Sequence, residues 1–239
     1  NSTLFNLMSA HASKGMSAHT KNNRIDKLTS PVLDSLDIAG YNYAAPRYEE
    51  DKKLHPQRLI VGTETYPQDI VKNWRIVEKN NNVIGDFMWT AWDYLGEAGI
   101  GAWAYTKDGN TFTKPYPWLL GDVGAFDILG NETAEVPLAQ AAWHMLRRPY
   151  IGVRPVKYNY TPYKGVWRGT NCFASWSWRN CEGNKAVVEI YSTGDYCELY
   201  LNGKRLGRKK LRDYKATFNT KYESGKLSVK AFSKDGKCV

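Results

Sequence analysis

The stretch Arg58-Leu59-Ile60-Val61-Gly62-Thr63-Glu64-Thr65-Tyr66-Pro67 decides the fold. A short apolar run, rich in β-branched residues, ends in a carboxylate and then in a proline. Its length suits a buried strand of a parallel sheet. Gly62 allows a close approach to the backbone, and Pro67 stops the strand. Glu64 therefore stands where a strand hands over to a loop, the position at which α/β barrels carry catalytic residues. On this stretch alone the commoner role for Glu64 is plainer: capping the helix that follows from Gln68 to Lys79.

The flanking segments repeat the pattern. Leu36 to Tyr43 reads as a strand that ends in polar and aromatic residues. Arg47 to His55 reads as a helix, ended by Pro56. Gln68 to Lys79 carries Ile70, Val71, Trp74 and Val77 on one helical face. Val83 to Thr90 is a third strand, running into Trp92-Asp93-Tyr94 and Glu97. Strand, helix, strand, helix, strand is the order of a parallel sheet. Residues 1–36 show no sustained period and are expected to form a long loop with one helical turn, a rim or lid beside a site. Ala98 to Asn131 is rich in Gly and Pro, with a small hairpin expected over Tyr105 to Phe112. A helix is expected over Pro137 to Arg147, with Leu138, Ala141, Ala142 and Met145 in its apolar stripe and Pro149 as its stop.

From Tyr150 the hydrophobic period changes to two. Strands are expected at Ile151–Val156, Phe173–Trp178, Ala186–Tyr191, Cys197–Leu201, Ala216–Asn219 and Lys226–Phe232. Asn202-Gly203 is a strong two-residue hairpin signal. Close-set short strands without a helical pattern argue for a β-sandwich. The charge changes at the same place. Residues 1–147 carry 14 basic and 17 acidic side chains, and residues 148–239 carry 19 and 7. The resulting division is an α/β part over residues 1–149 and an all-β part over residues 150–239.

With 42% hydrophobic residues in 239, the chain can build a real core, and wholesale disorder is excluded. No apolar run approaches membrane-spanning length. The start, Asn1-Ser2-Thr3-Leu4, has neither Met nor a signal-peptide pattern, so the chain reads as part of a longer protein, and a cytoplasmic location is favoured. Cys172, Cys181, Cys197 and Cys238 form no CxxC pair and the four His are scattered, so no metal and no cofactor is expected. Cys172 and Cys181 flank a short turn and suit a disulfide in an oxidising compartment; free buried thiols are commoner. The basic run Lys204 to Arg212 invites a nucleic-acid partner. It lacks interleaved aromatics, and a solvated face is the favoured reading.

The phrases LDIAGYNY, RLIVGTETYP, GDFMWTAWDYLGEAGIG, YPWLLGDVGAFDILG, RRPYIGVRP and VEIYSTGDYCELYLNGKRLGRK, in this order, resemble the family 2 glycoside hydrolases, most nearly their bacterial β-galactosidase-like members. The resemblance covers most of the chain from about Leu36. It implies the C-terminal half of a (β/α)8 TIM barrel, with strands six to eight at 36–43, 58–64 and 83–90, followed by an immunoglobulin-like β-sandwich. It implies a retaining hydrolase of terminal β-D-galactosides, with Glu64 as nucleophile and Tyr43 orienting it. It places Asn42 and Trp89 on the sugar, with Asp93 and Glu97 as weaker contacts in the same mouth. Such an enzyme needs a second carboxyl group about 5–5.5 Å from the nucleophile. The family's acid/base glutamate follows an asparagine at the end of strand four, and no such Asn-Glu precedes strand six here. Asn131-Glu132 falls after strand eight. The expectation is therefore a C-terminal fragment, inactive alone, partnered by the missing N-terminal half or a second copy. No Asn-x-Lys equivalent of the glucuronidases lies between Trp89 and Gly130, which favours a neutral sugar. The other readings are a non-catalytic carbohydrate-binding fragment, or β-glucuronidase or β-mannosidase specificity.

Overall fold

A computed structural model describes residues 23–158 and 162–239. The expected loop over residues 1–22 lies outside these residues. Helix α1 (Asn23–Leu33) occupies most of the remaining segment expected to be loop. It buries none of its residues, which is why the hydrophobic period missed it. Charges dock it instead: Asp26 pairs with Arg47 at 2.6 Å, and Asp34 pairs with Arg58 at 2.5 Å.

Strands β1 (Ala39–Asn42), β2 (Ile60–Thr65) and β3 (Val83–Met88) form a parallel sheet in that order. Helix α2 (Pro46–Leu54) connects β1 to β2, and helix α3 (Ile70–Lys79) connects β2 to β3. The strand–helix alternation expected from the sequence is present. Gly62 is required by contact: a Cβ there would lie 2.3 Å from both the Asp86 carboxyl and the Tyr48 hydroxyl. The small core beside this sheet consists of Ala45, Tyr48, Ile60 and Val83. A buried ionic cluster adjoins it, in which Asp51 pairs with both Arg47 and Arg58.

Helix α4 (Glu135–Ala142) is shorter than expected. The chain leaves the helix at Trp143 and turns at His144, whose φ is 58°, so Met145 is exposed instead of completing the stripe. Tyr105 to Phe112 is not a hairpin. It holds a 3-10 turn, Lys107–Gly109, and Gly109 serves close packing on Ala104 and not a left-handed turn.

The remaining strands form two antiparallel sheets. Strands β4 (Tyr150–Val153), β5 (Lys185–Tyr191) and β8 (Lys215–Lys221) make one, in the order β4-β5-β8. Strands β6 (Tyr196–Leu201), β7 (Lys204–Lys210) and β9 (Leu227–Phe232) make the other, in the order β7-β6-β9. Alternate residues point into one shared core, with Val188, Ile190 and Phe218 from one sheet meeting Cys197, Leu199 and Ala231 from the other. Asn202 and Gly203 have φ of 52° and 79°, the two left-handed residues that a tight β6–β7 hairpin demands. The strand expected at Phe173–Trp178 reduces to one bridge between Phe173 and Val153. One serine takes over the backbone: Ser175 Oγ accepts from the Ser177 amide, which bends the chain out of extended form. All four cysteines are free thiols, including Cys172 and Cys181.

A third apolar cluster joins the two parts. Ile70 and Val71 of α3 and Leu138, Ala139 and Ala142 of α4 pack with Cys172 and Tyr191. Burial of Ile70, Val71 and Leu138 contributes roughly 1.5–3 kcal/mol each, so this seam fixes the β-sandwich against the helices.

Candidate active site

Tyr43 follows the last residue of β1, and Glu64 lies one residue before the end of β2. Between them the β1–β2 register slips: Tyr41 faces Gly62, but Asn42 faces Glu64, leaving Thr63 as the bulged residue. The bulge turns both Thr63 and Glu64 toward Asn42. Thr63 Oγ1 donates to Asn42 Oδ1 at 2.8 Å, and Asn42 Nδ2 donates to Glu64 Oε2 at 3.2 Å. The threonine thus fixes which end of the amide meets the carboxylate. A Cβ on Gly40 would lie 2.8 Å from the Thr63 methyl, so that glycine makes room for the bulge.

Tyr43 takes the other carboxylate oxygen. Its hydroxyl donates to Glu64 Oε1 at 2.6 Å. Its φ is 55°, in the left-handed region that disfavours a bulky residue by about 1–2 kcal/mol. The backbone compensates through a bond from the Tyr43 amide to the Glu64 carbonyl at 2.7 Å. Burial pushes the Tyr43 hydroxyl far above its ordinary range, and the Glu64 carboxylate pushes it further. Tyr43 is therefore a fixed proton donor at neutral pH. Glu64 caps neither the 3-10 turn Pro67–Asp69 nor α3, since no side chain caps either start. The helix-cap role weighed for it is not what the geometry shows.

Three aromatic residues that the sequence reading did not assign surround this pair. Tyr66 packs on Tyr43 with ring centres 4.4 Å apart. Trp167, from the loop after β4, donates its indole N–H to the Tyr43 hydroxyl at 2.5 Å. Its ring also meets Tyr66 at 5.9 Å and Phe112 at 5.6 Å. Tyr66 stood in the deciding stretch, but Trp167 lies 124 positions from Tyr43, and no local pattern points to it.

Trp89 extends the ladder past β3, its amide donating to the Thr65 carbonyl at 2.9 Å. It sits at the same end of the sheet as Glu64, and its indole N–H donates to the Tyr94 hydroxyl at 3.3 Å. Tyr94 in turn donates to Glu97. Burial, then this bond, raises the Tyr94 hydroxyl to about 12. Asp93 is 5% exposed and accepts the Val123 amide at 3.2 Å. The structure thus brings Asn42, Tyr43 and Glu64 into one hydrogen-bonded unit. Trp89 and Glu97 belong to a neighbouring chain of contacts through Tyr94, and Asp93 is tied into the loop scaffold. Among the described residues, no second carboxyl group shares a hydrogen bond with this unit.

An aspartate below the site stiffens the strand ends. Asp86 of β3 accepts from Thr65 Oγ1 at 2.9 Å and from Asn73 of α3 at 3.3 Å. Burial raises its carboxyl, and these donors oppose that shift.

Comparison with known proteins gives this geometry a context. Residues 183–239, spanning β5 to β9, match a family described as "Domain of unknown function (DUF4982)". No curated protein matches. A glycosyl hydrolase family 2 member from Bacteroides cellulosilyticus superposes with a TM-score of 0.73 at 33% identity, over 90% of this chain and 28% of its own. A second, from Bacteroides cellulosilyticus DSM 14838, gives 0.68 at 29% identity, over 88% and 26%. A Bacteroides uniformis β-glucuronidase shares the fold, with a TM-score of 0.55 at 16% identity, over 92% and 27%. The chain thus spans little more than a quarter of the length of the first two relatives. Identity of 33% sustained over nine-tenths of the chain, on a shared fold, places it among the family 2 glycosyl hydrolases as a segment of their length.

Proposed function

We propose that this chain supplies the nucleophile side of a retaining exo-β-glycosidase, with residues 1–149 forming the C-terminal part of a (β/α)8 barrel and residues 150–239 an immunoglobulin-like sandwich. One observation carries the reading: Glu64 receives a hydrogen bond on each carboxylate oxygen, from Tyr43 and Asn42, at the C-terminal ends of adjacent parallel strands. A carboxylate held on both oxygens is aimed.

In this mechanism a Glu64 oxygen attacks the anomeric carbon and forms a glycosyl ester. The bond from that carbon to the leaving oxygen breaks, and the leaving oxygen takes a proton from an acid supplied outside this chain. Water, deprotonated by the same group, then releases the sugar and restores Glu64. Tyr43, kept protonated, holds the attacking carboxylate without competing for its charge. Trp89 walls the sugar, and Asp93 supports the loop. The substrate proposed first is a β-galactoside, because no Asn-x-Lys pair of the kind that meets the sugar carboxylate in glucuronidases lies between Trp89 and Gly130. Without an acid/base group, the chain alone turns over no glycoside.

The test is covalent trapping with 2-deoxy-2-fluoro-β-galactoside and the matching glucuronide, on the active protein that contains this chain. Mass spectrometry should locate the label on Glu64 with the galactoside. A label on another residue overturns the nucleophile, and a label on Glu64 from the glucuronide alone overturns the sugar.

A further inference from the structure

The outer face of the β7-β6-β9 sheet carries a charge pattern that the Glu64 unit does not use. Cys197, Leu199 and Ala231 point into the core, so the residues that alternate with them point outward. The register sets those outward residues in rows. Lys210, Tyr196 and Phe232 lie across one row. Arg208, Glu198 and Lys230 lie across the next. Arg205 faces Tyr200 in the third. Along the chain, the basic run Lys204 to Arg212 has no interleaved aromatics. Across the sheet, β6 supplies them.

The rings serve as shelves for the cations. Arg208 lies over the Tyr196 ring at 3.6 Å, and Lys230 stands over the Tyr200 ring at 5.6 Å. Phe232 stacks on Tyr196 with ring centres 5.1 Å apart and planes 17° from parallel. Strands β7 and β9 flank β6, so Arg208 and Phe232 occupy opposite faces of Tyr196. That ring keeps no face on which a nucleobase or a sugar could stack. What the sheet offers outward is charge. Arg205, Arg208, Lys210 and Lys230 are all exposed. Glu198 lies between them, is 9% exposed, and is engaged by Arg205 and Tyr200.

Protection of a sheet edge accounts for part of this charge. Lys209 meets that need: it leans across to β8 and donates to the Thr217 carbonyl at 2.6 Å, covering the edge between the two sheets. The four outward cations cover no edge, and their mutual repulsion is unfavourable until an anionic partner offsets it. We infer that this face docks the protein on a membrane surface bearing anionic lipid headgroups. The guanidinium edge of Arg208 donates to headgroup oxygens while its face stays on Tyr196. The four cations spread over β7 and β9, two strand spacings or about 10 Å apart, so a flat surface meets all of them at once. A duplex or a thin polyanionic chain meets fewer. Each basic side chain brought to an anionic membrane strengthens binding about fivefold.

Docking of this kind does not depend on the role of Glu64, and its test reads no glycoside. The full protein is sedimented with vesicles of phosphatidylcholine alone and of phosphatidylcholine with about 30% phosphatidylserine, at low and high salt. The expected result is binding to the anionic vesicles only, lost at high salt. Arg208→Gln combined with Lys210→Gln should weaken it about 25-fold. Lys53→Gln removes a charge from α2 that is 73% exposed, and should leave binding unchanged. All three side chains are exposed, so each variant should keep the melting temperature of the parent. No binding to the anionic vesicles, equal binding to both kinds, or binding untouched by the double change overturns the inference. Tighter binding to heparin or to duplex DNA in parallel titrations overturns it as well, by assigning the face to a different polyanion.

Discussion

The parallel sheet β1–β3 and the antiparallel sheets β4–β9 bury very different things. The antiparallel part closes on an apolar core in which Val188, Ile190, Cys197, Leu199 and Ala231 are fully buried. The parallel part has only Ala45, Tyr48, Ile60 and Val83 in its core, and surrounds them with Asp51, Arg47, Arg58, Asp86 and Asn73. Its edge strand β3 leaves Ile84 52% and Phe87 64% exposed. Buried ion pairs hold groups in place more than they stabilise, since desolvation offsets most of their attraction. The difference suggests a division of labour: one part positions a carboxylate, and the other supplies the stability that lets strained, polar positioning persist.

Loss of the carboxylate is the largest effect this division predicts. Glu64→Gln in the active protein should lower kcat by at least about 10³-fold, because the nucleophile is lost while Tyr43 and Asn42 still find partners. Its melting temperature should barely move. A variant that keeps its activity, or that unfolds, would make Glu64 a structural residue and break the comparison on its positioning side.

The stability side is tested by paired truncations. Leu199 is fully buried, so Leu199→Ala should cost about 2–5 kcal/mol in urea unfolding. Phe87→Ala, of a larger side chain on the exposed edge, should stay within about 0.5 kcal/mol. Equal costs would mean that the sheet edge is covered in solution, by a second copy or by another part of the protein.

Acid should also act on the antiparallel part. Burial alone would raise the Glu189 carboxyl, but Lys215 at 2.7 Å, Tyr191 at 2.6 Å and Arg154 at 2.6 Å hold it down at about 2. Its ordinary value is 4.5. The unfolded chain therefore binds the extra proton between those values, and stability falls as pH drops from about 4.5 toward 2. The loss attributable to Glu189 is about 3 kcal/mol. Glu189→Gln should be less stable at pH 7 and show a flatter decline below pH 4.5. Identical slopes would remove Glu189 from the account.

What the sequence could reveal follows the same division. Hydrophobic period and turn chemistry are local, so the β1-α2-β2-α3-β3 order and the Asn202-Gly203 hairpin were readable. Helix α1 was not, because it docks through Asp26 and Asp34 and buries no apolar face. The strand expected at Phe173–Trp178 failed because the Ser175 side chain accepts the Ser177 amide within the segment. In the candidate site, Asn42, Tyr43 and Glu64 stood at strand ends and could be named. The bulge at Thr63 that aims them leaves no trace in composition. Trp167 could not be named, since it reaches Tyr43 only after both parts have folded and docked.

Trp167 is also where the two parts meet chemically, and it gives the smallest predicted effect. Trp167→Phe keeps an aromatic ring against Tyr66 and Phe112 but removes the N–H that donates to the Tyr43 hydroxyl. Tyr43 can still donate to Glu64, so the site is not dismantled. What is lost is the bond that restrains where the tyrosine hydroxyl points, worth about 1 kcal/mol, or up to about tenfold in kcat. KM should change little, because the indole N–H is spent on Tyr43 and not on substrate. Tyr43→Phe should cost more than Trp167→Phe, and adding Trp167→Phe to Tyr43→Phe should cost nothing further, since the indole then has no hydroxyl to hold. Additive losses would mean that Trp167 acts on the sugar directly, and that the antiparallel part shares in the chemistry as well as in the stability.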